Sequence, residues 1–129
     1  VLVSPLDMAL AAGVVESGSW HRPSIVSGPT LTAKVKLKGL KTEVITQLQE
    51  LMAETVRSGA AKAARLPGTT LFGQVGTAPL PGHKNLRAIW FVGFRGGIAF
   101  TVLAFSRSTG FDPAVQIAHR FAAMLPAGS

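Results

Sequence analysis

Apolar positions recur along this chain at two periods, and the switches between them mark its elements. Ser4-Pro5-Leu6-Asp7 opens the first periodic stretch. A hydroxyl, then proline, then an acid three residues after the hydroxyl is the order of a capping box with proline at the first helical position. It predicts a helix through Met8, ending near Ser17-Gly18, with Leu6, Leu10 and Val14 on one buried stripe. Pro23, Gly28 and Pro29 then break any helix, so residues 20–32 read as loop. Lys34, Lys36 and Lys38 alternate with Val35 and Leu37, the period-two pattern of a strand with its lysines on one face.

The strongest helical pattern starts at Lys41-Thr42-Glu43 and places Ile45, Leu48, Met52 and Val56 on one stripe, joined by Val44 and Leu51. Glu43 in its first turn and Arg57 in its last both suit the helix dipole, and Ser58-Gly59 ends it. Ala60 to Gly68 reads as a small-residue linker. Three strands follow, Thr69 to Thr77, Arg87 to Phe94 and Ile98 to Ser106. Gly96-Gly97 joins the last two as a tight hairpin, because both central positions tolerate positive φ. The near-continuous apolar runs of the second and third strands predict a sheet covered on both faces. Asp112-Pro113 is read as the cap of a last helix whose buried stripe is Ile117, Phe121, Met124 and Leu125. The predicted fold class is α+β, an antiparallel sheet of about three main strands packed with helices, in one unit over residues 1–129.

Composition narrows the chemistry. The chain has 129 residues, with 13 Lys+Arg against 6 Asp+Glu, and a formal net charge of +7. Its apolar fraction of 47% is enough for a core, which excludes a disordered charged tail. It has no Cys, so disulfides, thiolate metal sites and a Cys nucleophile are excluded. No apolar run is long enough to span a bilayer, and no signal peptide is visible. The positive charge points to an anionic partner. Its one dense cluster, Lys34, Lys36, Lys38 and Lys41, reads first as a solvated edge strand guarded by charge and only second as a nucleic-acid or polyanion patch. Only Trp20 stands near a basic residue, Arg22, and there is no Tyr, so base stacking has little to work with and nucleic acid is not expected as a partner.

Individual side chains give few candidates. His21, His83 and His119 are scattered and form no metal-ligand spacing, so no metal and no cofactor is expected. Glu50 and Glu54 lie one turn apart on a helix, the spacing of a solvated face rather than an acid–base pair. No serine lies in Ser-x-x-Lys or Gly-x-Ser-x-Gly. The stretch Gly73-Gln74-Val75-Gly76-Thr77 is the most informative, because glycines so spaced on a strand permit close approach of another backbone or tight packing on a helix.

Four segments, in order, resemble the carboxyl-terminal part of a penicillin-binding protein transpeptidase domain. Ser4-Pro5-Leu6-Asp7-Met8-Ala9 resembles that family's Ser/Thr-Pro-Leu-Gln-Met-Ala helix start. The helix through Leu51, Met52 and Val56 resembles the one before its active-site strand. Phe72-Gly73-Gln74-Val75-Gly76-Thr77-Ala78 resembles Ala-Gly-Lys-Thr-Gly-Thr-Ala, and Ala88 to Phe94 resembles the Trp-Phe-Val-Gly-Tyr strand. The resemblance implies a partial β-lactamase/transpeptidase-like fold and a serine acyltransferase that cross-links peptidoglycan and is acylated by β-lactams. It also implies that Val1 to Ser129 is the end of a larger, extracytoplasmic, membrane-anchored parent. Of the family's Ser-x-x-Lys, Ser-x-Asn and Lys-Thr/Ser-Gly motifs, only the third has a counterpart here, and it is altered.

Gln74 stands where Lys is expected and Val75 where Thr or Ser is expected, while Gly76 and Thr77 are retained. These four are the expected substrate-binding residues. Gln keeps hydrogen-bonding capacity without charge, and Val is near-isosteric with Thr but has no hydroxyl. The Thr77 N–H is left as half of an oxyanion hole. The resemblance therefore implies no catalytic residue in this chain and two readings of the parent. One is a D,D-transpeptidase that binds a peptidoglycan stem peptide or a β-lactam. The other is a non-catalytic homologue acting as scaffold, sensor or binding module. A basic module binding anionic wall polymer, lipid headgroups or nucleic acid is a third and much weaker reading, supported only by the net charge of +7. An unpaired sheet edge also predicts self-association.

Overall fold

The computed structural model describes residues 3–24, 40–107 and 109–126. The Lys34–Lys38 strand predicted above lies outside them. Among the described residues the chain forms helix α1 (Pro5–Ser17), helix α2 (Thr42–Arg57), a 3₁₀ turn (Lys62–Ala64), strands β1 (Phe72–Pro79), β2 (Arg87–Arg95) and β3 (Ile98–Ser106), and helix α3 (Asp112–Met124). The fold is α+β. The strands form one antiparallel sheet in the order β1-β2-β3.

The capping box forms as the sequence predicts. Asp7 N–H donates to Ser4 Oγ at 3.1 Å, and Ser4 N–H donates to Asp7 Oδ2 at 3.0 Å. The Ser4 backbone N–H, and after it the Ser4 side chain, hold the Asp7 carboxyl below its ordinary pKa by hydrogen bonding to its charged form. Gly18 closes the helix in the left-handed conformation, at φ 78°. The predicted stripe of α1 is wrong in detail. Leu6 is exposed, Leu10 and Val14 are half-buried, and Ala12 is the residue buried. The helix crosses β3 where both sides are small: a Cβ on Gly13 would stand 3.8 Å from Ala99 Cβ. Close approach selects the small positions over the large ones.

The same physics decides α3. Its buried residues are Ala114, Val115, Ala118 and Ala122. The predicted stripe lies at the rim instead, with Ile117 49%, Phe121 40% and Met124 80% exposed. The sheet face beneath α3 already carries Ile89, Phe91, Phe100 and Val102, which fill the space between the layers. Phe121 caps that layer from the side, its ring 4.7 Å from that of Phe100. Asp112 is not a cap either. Phe111 is the N-cap, without a side-chain bond, and Asp112 sits in the first turn. At the other end Arg95 Nη1 donates to the carbonyls of Ala122 (3.0 Å), which also accepts the Leu125 N–H, and of Leu125 (2.8 Å), tying the close of α3 to the end of β2.

The predicted linker is structured. Ala61 and Ala64 of the 3₁₀ region are fully buried against the core, and His119 Nδ1 lies 3.2 Å from the Ala64 carbonyl. In α2, Met52 and Val56 are buried, Ile45 and Leu48 half-buried, and Val44 and Leu51 exposed. The β2–β3 hairpin pairs Arg95 with Ile98 across Gly96-Gly97, and only Gly96 takes positive φ. β1 starts three residues later than predicted and runs on to Pro79. Its position at a sheet edge tolerates that proline.

The two faces of the sheet have different covers. Ile89, Phe91, Phe100 and Val102 face α3 and the 3₁₀ turn. Trp90, Val92 and Ala99 face α1. The core contains no polar or charged residue among the described residues. Phe91, Ile89 and Val115 are its largest fully buried side chains. Burial stabilises by about 1.5–3 kcal/mol for each side chain of this kind.

Candidate functional site

Gln74, Val75, Gly76 and Thr77 lie consecutively on β1, opposite Val92, Phe91, Trp90 and Ile89 of the central strand. All four line one cavity of about 380 Å³ between α1, the β1–β2 face and Met52 of α2. Its walls are apolar, from Met8, Ala12, Val15, Met52, Trp90 and Val92. A larger open groove of about 990 Å³ runs between α2 and residues 65–71 and touches none of the four. Volume is therefore no guide here, and the smaller space is the one beside the motif.

The strand alternation divides the four residues. Gln74 is exposed, and its Oε1 receives the Thr55 hydroxyl at 3.2 Å. That hydroxyl also donates to the Leu51 carbonyl at 2.9 Å, so its single proton is shared. Val75 faces the other way and packs against the core beneath α3. Thr77 Oγ1 accepts a bond from Arg87 Nη2 at 2.9 Å.

The glycines also differ. A Cβ on Gly73 would meet Phe91 Cζ at 2.2 Å, because the Phe91 ring lies over Gly73 from the neighbouring strand. A Cβ on Gly93, directly opposite, would meet the Phe72 carbonyl oxygen at 2.1 Å. Above Gly76 nothing lies within 4 Å. Gly73 thus serves cross-strand packing, while the space over Gly76 is open.

Sequence reasoning missed three contributors. Thr55 reaches Gln74 from α2, Trp90 forms the cavity floor opposite Gly76, and Arg87 holds the Thr77 hydroxyl. Arg87 opposes Pro79 in the β1–β2 register, two residues beyond Thr77, a pairing that neither strand shows on its own. Among the described residues no three His, Asp or Glu side chains come together as a metal site. No described helix is long and apolar enough to cross a membrane. Comparison with known proteins yields no matching family model and no matching curated protein.

Proposed function

We propose that the chain is the carboxyl-terminal part of a penicillin-binding-protein-like D,D-transpeptidase domain of the cell envelope. In this reading β1 is its third-motif strand. One observation carries it: the four segments that resemble the family fall in order on the cap of α1, on α2, on edge strand β1 and on central strand β2. The motif strand has open space above Gly76 and stands beside a cavity, the arrangement an extended peptide needs. The peptidoglycan stem peptide or a β-lactam is the proposed ligand of the full-length parent. The chain by itself carries no nucleophile. Self-association through the outer edge of β3 belongs to the same proposal.

The second reading, a non-catalytic homologue, draws on Gln74 and Val75. The first is neutral and the second is packed against the core, so neither supplies a charge or a hydroxyl to a substrate carboxylate. A labelled-penicillin gel on the full-length parent separates the two. A covalent adduct supports the transpeptidase, and its absence leaves the scaffold reading. Gln74→Lys with Val75→Thr raises labelling only where an upstream Ser-x-x-Lys supplies the nucleophile.

A further inference from the structure

Two apolar surfaces of this chain, far from the motif strand, match each other in shape and in charge. The first is a ridge on α3. Ile117, Phe121 and Met124 recur at i, i+4 and i+7 and are 49%, 40% and 80% exposed. Phe121 is steadied by the Phe100 ring, while Met124 is an unbranched, adaptable side chain. Arg120 is also exposed. It stands three residues after Ile117 and four before Met124, so it lies beside both on the helix surface.

The second is the open groove of about 990 Å³ between α2 and residues 65–71. Val56, Leu66 and Leu71 line it as buried side chains, and Leu51 stands 64% exposed on its α2 wall. Glu50 and Glu54 belong to the same wall. Glu54 holds Arg57 and the Ser58 hydroxyl, and Glu50, one turn earlier, is exposed. An apolar groove of this kind takes a helix whose anchors recur at i, i+4 and i+7. Association removes the apolar surface of both partners from water.

We propose that the groove of one copy receives the α3 ridge of a second copy. Ile117 and Met124 pack on Leu51 and the apolar lining, and Arg120 faces Glu50. Ridge and groove are different surfaces, so the contact is heterologous and either closes into a ring or runs on from copy to copy. It is distinct from pairing along β3, which uses neither Leu51 nor Glu50. The groove touches none of Gln74 to Thr77, so the contact does not depend on the transpeptidase-like reading.

Sedimentation velocity tests it in a Phe105→Lys background, which disables pairing at the β3 edge. The background chain is expected to associate as its concentration rises. Leu51→Asp disables the groove and Met124→Asp the ridge. Both positions are largely exposed, so each variant is expected to keep its fold, checked by far-UV circular dichroism. Each alone is expected to associate at least about tenfold more weakly. Mixed in equal amounts, the two variants retain one intact contact, the groove of Met124→Asp with the ridge of Leu51→Asp. The mixture is expected to form one-to-one pairs where neither component associates. Arg120→Glu and Glu50→Lys should each weaken association by up to about fivefold and, together in one chain, restore it. A background chain that stays monomeric at every concentration overturns the contact. So does a mixture as dissociated as its components. Loss with Met124→Asp but not with Leu51→Asp also overturns it, because that places ridge against ridge.

Discussion

At the scale of single residues, two glycines three positions apart do opposite things. Gly73 lies under the Phe91 ring, and its cross-strand partner Gly93 lies against the Phe72 carbonyl. Gly76 faces open space. A side chain can swing away, but a backbone carbonyl within a ladder cannot, so Gly93→Ala is expected to cost more than about 3 kcal/mol. Gly76→Ala is expected to stay within about 0.5 kcal/mol, because its new methyl meets nothing. Urea unfolding of the two variants checks this, and equal effects would contradict the difference in contacts. The glycine spacing was visible in the sequence. Which glycine packs and which opens a site was not, because that depends on the ring of Phe91 arriving from 18 residues away along the chain.

At the scale of elements, the start signal of α1 was legible and the buried faces of α1 and α3 were not. The capping box at Ser4-Asp7 is local, and its bonds close within four residues. Because Asp7 has its folded pKa lowered, its contribution is complete above the ordinary carboxylate value, about 3.9, and is lost as pH falls through the lower folded value. Amide signals of Ser4 and Asp7 should therefore move on acidification below about pH 4, and Asp7→Asn should remove that transition. Helix α3 illustrates the second half. Its alanines, not its large apolar residues, meet the sheet. Ala118→Leu is expected to destabilise by about 1–3 kcal/mol through overpacking. Met124→Ala, at a largely exposed position, should change stability by less than about 0.5 kcal/mol. Thermal unfolding compares them. If Met124→Ala cost more, the stripe read from periodicity would be the true interface.

At the scale of the whole molecule, the sheet is covered on both faces, and among the described residues no strand pairs with the outer side of β3. β3 is nine residues long, carries no charge and no proline, and ends with Phe105 57% exposed. The exposed row Ile117, Phe121 and Met124 lies on α3, beside it through the Phe121–Phe100 contact. An uncharged edge flanked by apolar surface pairs with another strand unless something opposes it. Sedimentation is expected to show association at high concentration, and Phe105→Lys to shift the chain toward monomer. A monomer at every concentration would remove the edge as a contact. The net charge of +7 opposes association at long range, so added salt should strengthen it.

The sequence by itself determined the α+β class, the order of the helices and strands among the described residues, the β2–β3 hairpin and the capped start of α1. Each is set by periodicity or by bonds between near neighbours. It also located Gln74 to Thr77 on one strand. Tertiary structure decided which faces are buried, because the volume between sheet and helix is already filled by Ile89, Phe91, Phe100 and Val102 and leaves room only for alanines on α3. It also decided what surrounds the motif. Thr55, Trp90 and Arg87 come from other elements, and the cation that now stands at Thr77 reaches it only through the register of β1 on β2.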